Sequence, residues 1–218
     1  MLDMGDKLHP KGLVEVFVTK GKPKLINVAP LPSRRGVPLH QECYIDMSKC
    51  TLLDHFKQEN IILNQGKDRI IQTIGSGFFN FVARMAIGDR GALPTDQTVP
   101  KVPTADMTSL YNEVYRDDVQ STVLDIGTPD KHSIKFIRIF SALDVPISSF
   151  SNQANPLVNE VGLVTIDPDE APLPRPPVTP PADPDADEMI FSIRTFKSVP
   201  FQAENEIAVT IRYTIYIN

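Results

Sequence analysis

Tryptophan is absent from the sequence, cysteine occurs twice, and no apolar run approaches the ~20 residues that a helix needs to cross a bilayer. Each shortage removes a class of function. Without tryptophan, and with aromatic residues at only 7%, a stacking platform for sugars is hard to build. Cys43 and Cys50 have no second pair with which to complete a zinc site, and they read as reduced thiols. The histidines (His9, His40, His55 and His132) are scattered over unlike segments and form neither a helical i, i+4 pair nor a cluster. No nucleophile elbow, phosphate loop or dinucleotide fingerprint is present. The expectation is therefore no catalytic residue, no cofactor and no metal. A formal net charge of −5 gives no reason to expect nucleic acid or an anionic membrane as partner. The first residues, MLDMGDKLHPKG, lack the charged-then-apolar layout of a signal peptide, so a chain made and folded in the cytosol is expected.

What the chain does have is proline. Twenty prolines in 218 residues imply many fixed turns and argue against a mostly helical protein. Apolar residues at 41% and charged residues at 22% are ordinary for a folded chain. The period-2 and period-3.6 patterns then give a mainly β fold of the α+β type. Its expected form is an antiparallel β-sandwich-like core with two short helices and long proline-rich loops.

Residues 13–18 and 24–28, joined by Gly21-Lys22-Pro23, predict a hairpin. With the proline-broken stretch PLPSRRGVP after it, residues 1–58 read as an N-terminal arm or small hairpin subdomain. Residues 59–218 read as the main β-rich domain. Residues 60–75 carry a helix, with Asn64 as N-cap, Ile70, Ile71 and Ile74 facing a sheet, and Gly75 as the stop. Phe79, Phe81, Ala83, Met85 and Ile87 then alternate with Asn80, Val82, Arg84 and Ala86, which predicts a strand with two distinct faces. Met107, Leu110, Tyr111, Val114 and Tyr115 recur at helical spacing and predict a second helix over 105–117. Strands follow over 121–126, 133–143 and 161–166. The acidic, proline-dense segment 167–188 has too few large apolar groups to fold by itself and reads as a solvated loop. Residues 189–196 and 207–217 close the chain as two adjacent antiparallel strands.

The polar residues worth following sit in turns. Asp89 and Arg90 lie between Gly88 and Gly91 at the end of the strand. Glu113, Arg116, Asn159 and Glu160 are candidates to join them in space as a buried polar network or a subunit contact. Arg34 and Arg35 add a loop arginine pair. No base or nucleophile accompanies any of them, so all eight are candidate subunit contacts and not catalytic groups.

Taken in order, four of these segments resemble one family. An asparagine-bearing helix at 60–75 comes first. A strand ends in a GD.G turn, here Ala86-Ile87-Gly88-Asp89-Arg90-Gly91. Leu110-Tyr111-Asn112-Glu113-Val114-Tyr115-Arg116 follows, and then an (N)E.GL strand, here Asn159-Glu160-Val161-Gly162-Leu163. The pattern is similar, over about half the chain, to the phage tail-collar fibre proteins and related baseplate or neck components. The resemblance implies a non-enzymatic virion protein, made in the host cytoplasm, whose β-rich domain docks on a symmetric tail or collar ring. Heptads and shaft repeats are missing, which favours an adaptor, collar or baseplate subunit over a fibre. The partners implied are other virion proteins (tail, collar, baseplate or fibre subunits), together with further copies of the chain in a cyclic homo-oligomer. A capsid decoration protein or a small receptor- or glycan-binding module is the alternative.

Overall fold

The computed structural model describes residues 11–32, 38–76, 81–128, 131–166, 177 and 188–217. Eleven strands form one curled sheet in the order β2-β3-β9-β10-β13-β1-β4-β12-β11-β5-β8. Their ranges are β1 Lys11–Lys20, β2 Lys24–Pro30, β3 Leu39–Asp46, β4 Thr51–Ile62, β5 Phe81–Gly88, β8 Glu113–Asp118, β9 Ser121–Thr128, β10 Lys131–Ser141, β11 Leu157–Ile166, β12 Met189–Pro200 and β13 Ile207–Ile217. Two short strands, β6 (Ala92–Leu93) and β7 (Asp96–Pro100), form a separate hairpin between β5 and β8. The mainly β expectation holds.

The sheet bends at β4. Its long first part pairs with β1, and only Ile61 and Ile62 reach β12, opposite Ile193 and Ser192. At the far end β8 passes into β9 through Val119 and Gln120, whose amides donate to the Ala83 and Ile137 carbonyls. The halves therefore belong to one hydrogen-bonded sheet and not to the two separate sheets of the sandwich expectation. Both halves feed one apolar cluster: Val14, Val16, Phe136, Phe140, Ile211 and Tyr213 from one, Met85, Ile87, Val161, Leu163 and Phe196 from the other.

Two pairings differ from expectation. β1 does not fold back on β2; it lies in the middle of the sheet between β13 and β4. Its Glu15 is opposite both Arg212 and Lys57 and forms ion pairs with each, at 3.1 and 3.6 Å. Cross-strand pairs of opposite charge favour this register, and the buried Val14, Val16 and Val18 need a partner face that a lone hairpin lacks. Residue 58 falls inside β4, which pairs with β1 over most of its length and reaches β12 at its end. What does project is the β2–β3 hairpin, joined to β9 by two parallel pairs, Leu39 with Thr122 and His40 with Val123. Finally, β12 and β13 are not neighbours; β12 lies between β4 and β11, and β13 between β10 and β1.

Among the described residues there is one α-helix, α1 (Asn64–Ser76). The Lys67 amide bonds to the Leu63 carbonyl, so the helix begins one residue before Asn64, whose side chain instead donates to Asp106. Ile70 packs on the main cluster, but Ile71 is 67% exposed. The second expected helix is absent. Residues 105–112 form a loop and 113–118 form β8, paired with β5. The i, i+3, i+4 pattern arose from two structures in succession. Leu110 enters a second, smaller apolar cluster on the outer side of β11 and β12, with Met107 packed against it, while Val114 and Tyr115 enter the main one. Val and Tyr favour strands, and tertiary pairing overrides the helical spacing here.

β5 is buried throughout Val82–Gly88 and lies between β11 and β8. Its strict alternation is broken by a bulge. Val164 is opposite Arg84 and Thr165 opposite Val82, so Ala83 is the extra residue. Val82 is thereby turned to the Met85 and Ile87 side. Phe78, Phe79 and Asn80 lie outside the described residues.

Candidate functional site

Antiparallel pairing of β5 with β11 sets Gly88 opposite Glu160, and this register brings the GD.G turn against the NE.GL strand. Glu160 is fully buried. Its Oε1 accepts from the backbone amides of Asn112 at 2.8 Å and Arg90 at 3.2 Å, and its Oε2 from the amide of Tyr111 at 2.8 Å. Burial pushes the carboxyl above the usual range and the nearby Asp89 adds to the rise, while the three amide donors partly offset it. Asn159 completes the clasp. Its Oδ1 accepts from the Gly91 amide at 2.6 Å, and its Nδ2 donates to the Asp89 carbonyl at 3.1 Å and to Ser198 Oγ at 3.0 Å.

The glycines are there for space. A Cβ on Gly88 would collide with the Asn112 carbonyl and the Glu160 carboxylate, and one on Gly91 would lie 2.5 Å from the Asn159 carbonyl oxygen. Asp89 ties the turn to the next loop. It accepts from Asn112 Nδ2 at 2.7 Å and from the Ser151 amide at 2.6 Å. The exposed Arg90 contributes Nε to Ser151 Oγ at 3.2 Å. Four of the expected residues, Asp89, Arg90, Asn159 and Glu160, thus meet in one place, with Asn112 and Ser151 as unforeseen members.

Glu113 and Arg116 belong to a different group. Arg116 grips Glu113 with two parallel bonds of 2.7 Å, from Nε to Oε1 and from Nη2 to Oε2, the bidentate geometry that suits a guanidinium. Its Nη1 reaches Glu188 Oε2 at 2.5 Å. Glu188 Oε1 takes Arg84 Nη1 at 2.8 Å, and Arg84 Nε lies 3.2 Å from Asp118 Oδ1. Arg84 is 1% exposed, and the Glu188 side chain is wholly enclosed. Burial drives the Glu188 carboxyl upward, but its two arginine partners outweigh this and hold it below the usual range. Burial opposes the Arg116 charge as well, yet Glu113 and Glu188 leave its proton held more firmly than usual. At the margin Arg138 pairs with Asp117.

Sequence reasoning missed Arg84 and Glu188. The available signal for Arg84 was a charged residue inside an otherwise apolar strand, flanked by Ala83 and Met85, which calls for a buried counter-ion. For Glu188 it was an acid directly before a strand. Arg34 and Arg35 lie outside the described residues. Cys43 and Cys50 are free thiols, and burial raises both above the ordinary thiol value, which opposes thiolate chemistry. Among the described residues no three His, Cys, Asp or Glu side chains are grouped to hold a metal ion, and no helix is long and apolar enough to cross a membrane.

No family model, curated protein or solved structure matches the chain. In both clusters the charged groups are spent on the fold. Glu160 directs its oxygens at three main-chain amides within the protein, which does not suit a general base, since such a base must reach a substrate proton. Glu188 is committed to two guanidinium groups. The clusters lock a turn and a loop against the strands that carry them.

Proposed function

We propose that the chain is a non-catalytic structural subunit of a tailed-phage virion, a tail, collar or baseplate adaptor. It docks on a symmetric ring and anchors fibres or neighbouring subunits. The observation that carries the non-catalytic part is the Glu160 clasp: three of the motif segments that point to the family meet there, and the Arg90, Tyr111 and Asn112 main-chain amides turn the Glu160 carboxylate inward. The order of the four motif segments carries the virion part. The curled sheet, whose two halves share one core, is the body from which the β2–β3 hairpin and surface loops reach other virion proteins. Assembly is with further copies of the chain in a cyclic arrangement.

Imaging of particles that lack this protein tests the proposal. Loss of tails, collars or fibres is the expected result. Intact tails with a thinned shell would favour a capsid decoration protein instead. Particles complete in every part would overturn the virion reading.

A further inference from the structure

The two edges of the sheet are treated differently. β8 carries four charged residues in six, Glu113, Arg116, Asp117 and Asp118. Past its end the Val119 amide is used by Ala83, and Arg138 reaches the Asp118 carbonyl and the Asp117 carboxylate. Charges and covering side chains of this kind block edge-to-edge pairing. β2 carries such devices only at its ends, Lys24 at one and the positive-φ Ala29 with Pro30 at the other: its central residues Leu25-Ile26-Asn27-Val28 carry no charge, and no strand lies outside it among the described residues. Ile26 and Val28 are 49% and 39% exposed, and Tyr44, opposite Ile26 on β3, is 55% exposed.

We propose that the β2 edge pairs with the β2 edge of a second copy of this chain, antiparallel and centred on Ile26. The register of the hairpin makes this edge self-complementary. Lys24 is opposite Asp46, Ile26 opposite Tyr44 and Val28 opposite Glu42, so these six side chains share one face. A two-fold axis at Ile26 places Lys24 opposite Val28 of the second copy. Two rows then run across the joined sheet as Asp46, Lys24, Val28, Glu42, the last two from the second copy. Between them lies an apolar row of Tyr44, Ile26, Ile26 and Tyr44. Each lysine is flanked by its own Asp46 and by Glu42 of the other copy, two strand steps of about 4.8 Å away, a gap that the two long side chains span. The Tyr44 hydroxyl donates to Glu42 and holds that carboxylate on this face. No like charges meet, and the main-chain groups of the open edge gain partners. The pairing adds to the assembly reading without resting on it, because the edge is complementary to itself whatever the particle.

A seven-residue strand gives a small interface, so association on the order of 10 µM is expected. Light scattering on the full chain over a concentration series measures it, with circular dichroism melting as a control for folding. Lys24→Glu, which lines up acids across the joint, weakens the dimer by about tenfold. Adding Glu42→Lys restores it, since the acid introduced by the first change then faces the amine introduced by the second on the other copy. Amide exchange at residues 24–28 slows as concentration rises. A chain that stays monomeric at ~0.5 mM overturns the proposal. So does an oligomer indifferent to Lys24→Glu, or one whose exchange at 24–28 does not change with concentration.

Discussion

The Glu160 clasp and the Arg84–Glu188 cluster lie on neighbouring strands and each bury a carboxylate, yet they are made in opposite ways. The clasp neutralises a carboxylate with main-chain amides, so its members are fixed by backbone path and close packing. The other cluster sets charge against charge, with two guanidinium groups sharing one carboxylate. A carboxylate held by amides retains a desolvation cost that those dipoles only partly offset. A carboxylate held by two cations is overcompensated. Hence the shifts of Glu160 and Glu188 are opposite in sign.

The largest expected effect breaks the second cluster. Glu188→Ala strands the Arg84 and Arg116 guanidinium groups inside the protein and costs about 3–5 kcal/mol in denaturant unfolding. An effect below about 0.5 kcal/mol would mean that Glu188 behaves as the end of a solvated loop. Breaking the clasp comes next. Glu160→Gln sets an amide donor against main-chain donors and costs about 1–3 kcal/mol. Gly88→Ala should cost a similar amount, about 1–3 kcal/mol, by overpacking against Asn112 and Glu160. If Gly88→Ala were neutral, the clasp would be looser than the structure shows.

The pH response sharpens the contrast further. Glu188 titrates lower when folded than when unfolded, so its contribution is present above the unfolded value of about 4.3 and is lost as pH falls through the folded one. Glu160 titrates higher when folded. Its contribution is present below the unfolded value and is lost as pH rises through the folded one. Unfolding measured between about pH 6 and pH 3 should therefore show a shallower acid loss in Glu188→Gln and a steeper one in Glu160→Gln. Equal slopes in the two variants would remove the distinction. The smallest effect is at the rim. Arg90 is exposed and its side chain bonds through Nε to Ser151, so Arg90→Ala should move stability by no more than about 0.5 kcal/mol. In the proposed role it weakens assembly, read as particle yield, by more than that.

The same contrast explains what could be read from the sequence. The clasp was visible because its glycines, Asp89, Asn159 and Glu160 occupy short motifs whose residue types announce a turn and a strand start. The arginine cluster was not, because Arg84 and Glu188 are 104 positions apart and only the placement of β5, β11 and β12 joins them. Individual strands were likewise legible. Ile207, Val209, Ile211, Tyr213 and Ile215 alternate cleanly and are all buried in the main cluster. Their neighbours were not legible, since period-2 patterning fixes which face is buried but not which strand lies beside it. Residues 105–117 misled for a related reason. Apolar side chains directed to two different clusters, one from a loop and one from a strand, happened to fall at helical intervals.

The position of β13 bears on how the protein is made. It fills the gap between β1 and β10, and its pairing with β1 joins Glu15 to Arg212 across 197 positions of chain. Contacts this distant are slow to form, because a long loop must close before they return any free energy. Until residues 207–217 arrive, β1 and β10 each present an open edge at what will become the middle of the sheet. During synthesis or refolding, that vacancy is the place where another chain could insert.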